Sequence, residues 1–162
     1  MENVADPTDE NQMRDMLVKI LRKEANDRSG LIYGMGHAVY TLSDPRAKIL
    51  KKNARKLAIE HDYEKEFLTL ENIEKLTPQV FADVKGEEKA MCANVDLYSG
   101  LVYKVLGIPD DLFTPLFASA RIAGWSAHRI EEITSGGKIM RPAYKSVSKP
   151  RTYIPIDKRT EE

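Results

Sequence analysis

Apolar residues recur at helical spacing along most of this chain. Near the amino terminus they lie three or four positions apart and define one helix face: Met13, Met16, Leu17, Ile20 and Leu21. Asp6-Pro7, followed by Asp9 and Glu10, is a plausible start, because proline and acidic residues favour a first helical turn. The pattern predicts an amphipathic helix here.

The pattern breaks between residues 26 and 43, where Gly30, Gly34 and Gly36 lie in a mostly apolar stretch. Asp44-Pro45 is then typical of an N-cap followed by proline at the first helical position. The helix that it opens has apolar residues along one side: Ala47, Leu50, Ala54, Leu57 and Ala58. The apolar pattern from about residue 64 to 75 predicts another helix. Thr77-Pro78 then predicts a break before a separate short helix.

Two further helices are predicted in the second half of the chain. Asn94 or Asp96 opens the first, Gly107 ends it, and its inward residues are Leu97, Leu101, Val102 and Val105. The longest runs from about 112 to 134. After 138 the chain has an extended character, and Tyr153-Ile154-Pro155-Ile156 would pack as a strand or an arm.

No other segment alternates as a strand does, so the predicted fold class is all-α with a short extended C-terminal tail. A soft boundary near Gly107-Ile108-Pro109-Asp110 divides the chain into 1–108 and 109–162. The second piece is too short for an independent core and needs a partner surface.

Composition gives no support for several classes of protein. Lys+Arg and Asp+Glu both number 25, so the net charge of zero gives no support for non-specific binding of nucleic acid or of a membrane surface. No apolar run approaches the ~20 residues that span a bilayer. One cysteine excludes an intrachain disulfide and fits a reducing, cytoplasmic compartment. No His, Asp or Glu spacing indicates a metal site.

Three residues in the first part of the chain are candidates for chemistry. His37, in the glycine-rich loop, would donate a hydrogen bond to a developing oxyanion, or would simply bond a nearby carbonyl. Arg46, in a first helical turn, is easier to understand if an anion completes its site, whereas a solvated surface arginine is the usual case. Asp96 is a candidate general base, if apolar surroundings raise its pKa, or an N-cap.

Two further arginines are candidate anion ligands. Arg121 lies in an otherwise apolar or small helix segment, where a charge should have a partner such as a buried acid or a bound anion. Arg141, in Met140-Arg141-Pro142, is unremarkable alone.

Taken in order, these motifs resemble the citrate synthase family. The resemblance covers nearly the whole chain and rests on the following segments: Gly34-Met35-Gly36-His37, Asp44-Pro45-Arg46, Asn94-Val95-Asp96 with Ser99-Gly100, Leu112 to Phe117, Arg121 to His128, Arg141-Pro142 and Tyr153-Ile154-Pro155. It implies condensation of acetyl-CoA with oxaloacetate, and then hydrolysis of the citryl thioester to citrate and CoA.

The resemblance also implies roles for the residues. Asp96 would take a proton from the acetyl methyl group, and His37 would activate the oxaloacetate carbonyl. Arg46, Arg121 and Arg141 would bind carboxylates, the last in the partner subunit's site of a homodimer. The residues that would meet CoA are Leu31, Ile32, Tyr33, Gly34, Met35 and Gly36. No cofactor is expected, since acetyl-CoA is a substrate.

One departure from the family is important. Its other catalytic and oxaloacetate-binding histidines precede this region, in a large helical domain, and neither His61 nor His128 stands in a matching motif. We therefore expect residues 1–108 to be the small, CoA-binding domain, 109–162 to be the end of the large domain, and the chain alone to be an inactive fragment. The alternatives are part of a 2-methylcitrate synthase and a non-catalytic CoA-binding or interaction module.

Overall fold

The computed structural model describes residues 4–86, 90–136 and 152–158. Most of these residues belong to five α-helices: α1 (Glu10–Leu21), α2 (Pro45–Glu60), α3 (Glu64–Lys85), α4 (Asp96–Val105) and α5 (Phe113–Ser135). Two short 3-10 segments cover Asp110–Leu112 and Ile156–Lys158. These ranges contain no β-strand, which confirms the all-α prediction. No helix within them is long and apolar enough to cross a membrane.

Side-chain caps set the starts of the first two helices. Asp9 accepts hydrogen bonds from the N–H groups of Asn11 and Gln12, so α1 begins at Glu10 and not at Asp6-Pro7. Asp44 accepts from the N–H of Arg46, with Pro45 at the first helical position, and this confirms the predicted start of α2.

The predicted break at Thr77-Pro78 is wrong, because α3 continues through Pro78 to Lys85. Pro78 has no N–H to donate to the carbonyl of Glu74, and this loss normally weakens a helix. Packing compensates, since both halves of α3 bury side chains in one core: Phe67, Ile73 and Val80. Tertiary contacts therefore override the local signal.

The core lies among the first four helices. Helix α1 packs on α3, while α2 packs on both α3 and α4. Its buried residues follow the predicted faces and include Met13, Leu17, Leu21, Ala54, Ala58, Leu97 and Leu101. Tyr98 is also fully buried, and its hydroxyl donates to Glu74 Oε2 at 2.6 Å. Burial, together with this bond, raises the pKa of Tyr98.

The chain divides into two compact units, 1–119 and 120–162. The first contains α1 to α4 and their core. In the second, α5 carries large apolar side chains that are exposed: Ile122, Trp125, Ile130 and Ile133. Residues 152–155 have no regular structure. The predicted division after residue 108, with its assignment to two domains, stays a prediction.

Candidate functional site

A short backbone bridge joins the glycine loop to the segment before α4. Met35 and Ala93 form an isolated antiparallel bridge. The N–H of Gly36 donates to the Cys92 carbonyl at 2.8 Å, and the N–H of Asn94 donates to the Gly34 carbonyl at 2.9 Å. The bridge holds the loop that carries His37 beside the helix start that carries Asp96.

Gly34 makes this close approach possible. Its φ is +83°, and a Cβ at this position would lie 2.8 Å from both Cα and Cδ1 of Leu97. Any other residue would therefore be strained in its backbone and would collide with α4. At Gly34 it is therefore the start of α4 that approaches the main chain closely.

The glycine loop lines an open groove with a volume of about 580 Å³. The walls include residues 30–38, Asn94 and Asp96, and apolar side chains such as Leu21 and Phe81 contribute as well. His37 and Asp96 both line this groove, so the fold brings the two predicted catalytic residues together. All six residues predicted to meet CoA, Leu31 to Gly36, line the same groove.

The imidazole of His37 is oriented by its own loop. Its Nδ1 accepts hydrogen bonds from the N–H groups of Val39, at 3.0 Å, and Tyr40, at 3.2 Å. An accepting Nδ1 carries no proton, so the neutral ring has its proton on Nε2. Among the described residues, the ring bonds backbone N–H groups of its own loop and no carbonyl. His37 is exposed, and Nε2–H is its donor.

Arg46 has a carboxylate partner within the chain. Its Nε donates to Asp44 Oδ1 at 3.1 Å, and its Nη2 donates to Asp44 Oδ2 at 2.8 Å. The guanidinium also lies over the ring of Tyr40, 5.5 Å from the centroid. Asp44 is buried, whereas half of the Arg46 side chain is exposed. The hydrogen bonds from Arg46 hold the pKa of Asp44 below its usual value.

Arg46 is exposed, so the alternative of a solvated surface arginine stays open, although its guanidinium is paired with Asp44. The sequence indicated that Arg46 needs an anion, and Asp44, expected only as an N-cap, supplies one. The available signal was the Asp-Pro-Arg spacing, which places the arginine at the second helical position, within reach of the cap.

Two N–H donors meet where Arg46 approaches His37. Arg46 Nη2 lies 3.4 Å from His37 Nε2. Because Nε2 carries the proton of the neutral ring, this contact is not a hydrogen bond. An oxygen atom placed beside both groups would accept from each of them.

Asp96 is the first residue of α4, but it does not cap the helix. The Oδ1 of Asn94 accepts from the N–H of Asp96 at 2.9 Å, so Asn94 provides the side-chain acceptor at this start. The alternative of Asp96 as the N-cap is therefore wrong. The Asp96 side chain is exposed and is not enclosed by Val95 and Leu97. Its carboxylate stands at the positive end of α4, where a negative charge is favourable.

The other two predicted arginines lie outside the first unit. Arg121 is exposed on α5 and is engaged with other groups. Arg141 lies outside the described residues. Among the residues whose structure is described, no cluster of three or more His, Cys, Asp or Glu side chains could hold a metal ion.

Comparisons with known proteins identify the family of this chain. The family model "Citrate synthase, C-terminal domain" matches residues 1–143. The chain is 38% identical to the 2-methylcitrate synthase of Shewanella oneidensis, over 98% of this chain and 39% of that protein. It is 41% identical to the citrate synthase of a Synechocystis species, over 79% of this chain and 31% of that protein.

Solved structures of citrate synthases are similar as well. One is the Thermoplasma acidophilum enzyme in a ternary complex with carboxymethyl coenzyme A and oxaloacetate, at TM-score 0.63 and 31% identity, covering 98% of this chain and 39% of that one. Another is the Thermotoga maritima enzyme, at TM-score 0.62 and 34% identity, covering 99% and 40%. The chain thus spans about two fifths of the length of these proteins, and it belongs to the citrate synthase family.

Proposed function

We propose that this groove binds an acyl-CoA together with oxaloacetate, as part of a citrate synthase site. The overall reaction converts acetyl-CoA, oxaloacetate and water into citrate and CoA. The observation that carries the proposal is the orientation of His37, whose Nδ1 accepts two backbone hydrogen bonds and whose Nε2–H therefore stays a donor beside Arg46.

The proposed chemistry divides between two residues. The Asp96 carboxylate takes a proton from the acetyl methyl group, and the resulting enolate attacks the keto carbon of oxaloacetate. His37 Nε2–H donates to the keto oxygen as negative charge develops there. Water then cleaves the citryl thioester and releases CoA. The CoA thioester is a substrate in this scheme, and no separate cofactor is required.

Arg46 is suited to hold a carboxylate of oxaloacetate. The fork to Asp44 fixes the guanidinium before a ligand arrives, so little side-chain freedom is lost on binding. Arg121 and Arg141 are proposed as further carboxylate ligands, the latter in the partner subunit's site of a homodimer. Residues 31–36 are proposed to contact CoA. A cytoplasmic location, favoured by the single cysteine, belongs to the same proposal.

The first test combines a thiol-release assay with a binding titration on this chain. We expect CoA to bind and no turnover with acetyl-CoA and oxaloacetate, because the family's other catalytic histidines precede the matched region. Asp96→Asn should leave CoA binding unchanged, since the proposed CoA contacts lie elsewhere. Failure of the folded chain to bind CoA would overturn the proposal. Turnover that Asp96→Asn abolishes would support the role of Asp96 and refute the expected inactivity.

A second candidate is the 2-methylcitrate synthase reaction, in which propionyl-CoA replaces acetyl-CoA. The similarity to the Shewanella oneidensis enzyme favours it, because that relative matches 98% of this chain. Paired titrations with acetyl-CoA and propionyl-CoA test the two candidates. Tighter binding of propionyl-CoA would support the second.

A further inference from the structure

Asn94 bonds to the backbone beside both proposed catalytic residues. Its Nδ2 donates to the carbonyl of Gly36, the residue before His37, at 2.9 Å. Its Oδ1 accepts from the N–H of Asp96, also at 2.9 Å. One planar amide thus spans the gap between the loop and α4, and Gly36 and Asn94 lie 58 residues apart in the chain.

The chemistry of both contacts requires an asparagine. The Gly36 carbonyl needs a donor and the Asp96 N–H needs an acceptor, so only one orientation of the amide satisfies both. Aspartate would keep the acceptor but would place a second oxygen against the carbonyl. Alanine would remove both bonds and leave a partly buried carbonyl without its side-chain partner.

We propose that Asn94 is a positioning residue, which sets the separation and orientation of His37 and Asp96 by holding the Gly36 carbonyl and the Asp96 N–H together. The importance of this positioning for catalysis rests on the function proposed above. The reacting atoms must lie between a base and a donor, and displacements of about 1 Å there can reduce rates by roughly 100-fold. The Gly36 bond acts on His37 through the peptide that joins the two residues.

A merely structural role makes a different prediction, and Asn72 provides the matched control. The Asn72 Nδ2 donates to the Thr8 carbonyl at 2.8 Å and so ties α3 to the segment before α1. It is partly buried, as Asn94 is, and it does not line the groove. Asn72→Ala therefore removes a similar bond without a direct effect on the site.

The experiment compares the wild-type chain with Asn94→Ala, Asn94→Asp and Asn72→Ala by NMR and by acetyl-CoA titration. In Asn94→Ala we expect the imidazole ¹⁵N signals of His37 and the amide signal of Asp96 to move, and acetyl-CoA to bind roughly fivefold more weakly. Asn94→Asp should move the His37 signals and leave the Asp96 amide near its wild-type position. It also provides the test should the alanine variant not fold. Asn72→Ala should change none of these.

Two outcomes would refute separate claims. Wild-type His37 and Asp96 signals in a folded Asn94→Ala chain would overturn the positioning role, even with strong binding of acetyl-CoA. Absence of acetyl-CoA binding by the wild-type chain would refute the proposed function, while the NMR comparison would still decide whether Asn94 positions the two residues.

Discussion

Asp44 serves two purposes with one buried carboxylate. It accepts from the N–H of Arg46 at the start of α2, and it also holds the guanidinium of the same arginine through two further bonds. The helix start and the orientation of the proposed substrate ligand are therefore coupled. A substitution at Asp44 should affect both stability and binding.

We expect Asp44→Asn to lower the free energy of unfolding at pH 7 by about 1 kcal/mol, because the amide has no charge to attract the Arg46 guanidinium and offers it only one acceptor oxygen. The native pKa of Asp44 lies below the unfolded value of about 3.9, so its contribution is present above that pH. It is lost as the pH falls through the lower native pKa. Urea unfolding between pH 7 and pH 3 should show wild type and variant converging in acid. A constant difference would contradict the assignment.

Gly34 allows a second prediction about a single residue. Gly34→Ala should lower the free energy of unfolding by about 2–4 kcal/mol, because backbone strain adds to a collision with Leu97. Gly86→Ala is the control, since Gly86 has φ +71° and, among the described residues, no atom lies within 4 Å of an added Cβ. It should lose only about 1 kcal/mol. If urea unfolding gave equal losses of the free energy of unfolding for the two variants, the collision of the new Cβ with α4 would have to be relieved by a shift in the structure.

The sequence indicated candidate site residues, whose roles stay predictions, but it did not indicate the contacts that orient them. Local motifs indicated His37 and Asp96, and both line the groove. Asn94 was expected only near a helix start, because its bond to Gly36 depends on how the whole first unit folds. Short-range spacing contains no information about a partner so far away in the chain.

At the scale of elements, α3 shows tertiary packing overriding a local rule. Proline predicted a helix break, yet the two halves of α3 share one core and stay continuous. The other helix faces were predictable because apolar spacing and caps act locally. The burial of Tyr98 was not, since its hydroxyl is satisfied by Glu74 on another helix.

We expect Pro78→Ala to raise the free energy of unfolding by about 1–3 kcal/mol, because alanine restores an N–H donor for the Glu74 carbonyl inside α3. Pro45→Ala is the matched control at a first helical position, where no such bond is missing. It should lower stability by about 0.5 kcal/mol through greater freedom of the unfolded chain. Chemical denaturation of both variants measures the difference, and a loss at Pro78 would mean that its ring packing outweighs the recovered bond.

At the scale of the whole molecule, the exposed apolar residues of α5 need explanation. Ile122, Trp125, Ile130 and Ile133 are each more than half exposed. Their spacing places them on one broad side of the helix. Contiguous apolar surface of this kind is typical of contacts with another protein surface. Trp125 is one of these exposed residues, so we expect it to contribute to an interface.

We therefore expect the chain to self-associate at high concentration through α5. Light scattering should show a mass that rises with concentration, and emission of the single tryptophan, Trp125, should shift to shorter wavelength. Ile130→Glu should shift the association to roughly tenfold higher concentration, because a carboxylate is costly to bury. Leu42→Glu is the control, at a residue that is 88% exposed in the first unit. A monomer at all concentrations would contradict this.

The bridge between Met35 and Ala93 also affects the order in which the structure forms during folding. It closes a loop that contains both α2 and α3, and contacts between such distant residues form late because closing a long loop is entropically unfavourable. During refolding, helical signal should therefore appear before any capacity to bind ligand. Ligand affinity would report the completion of folding, and a chain that ends before residue 90 would be helical but would have no site.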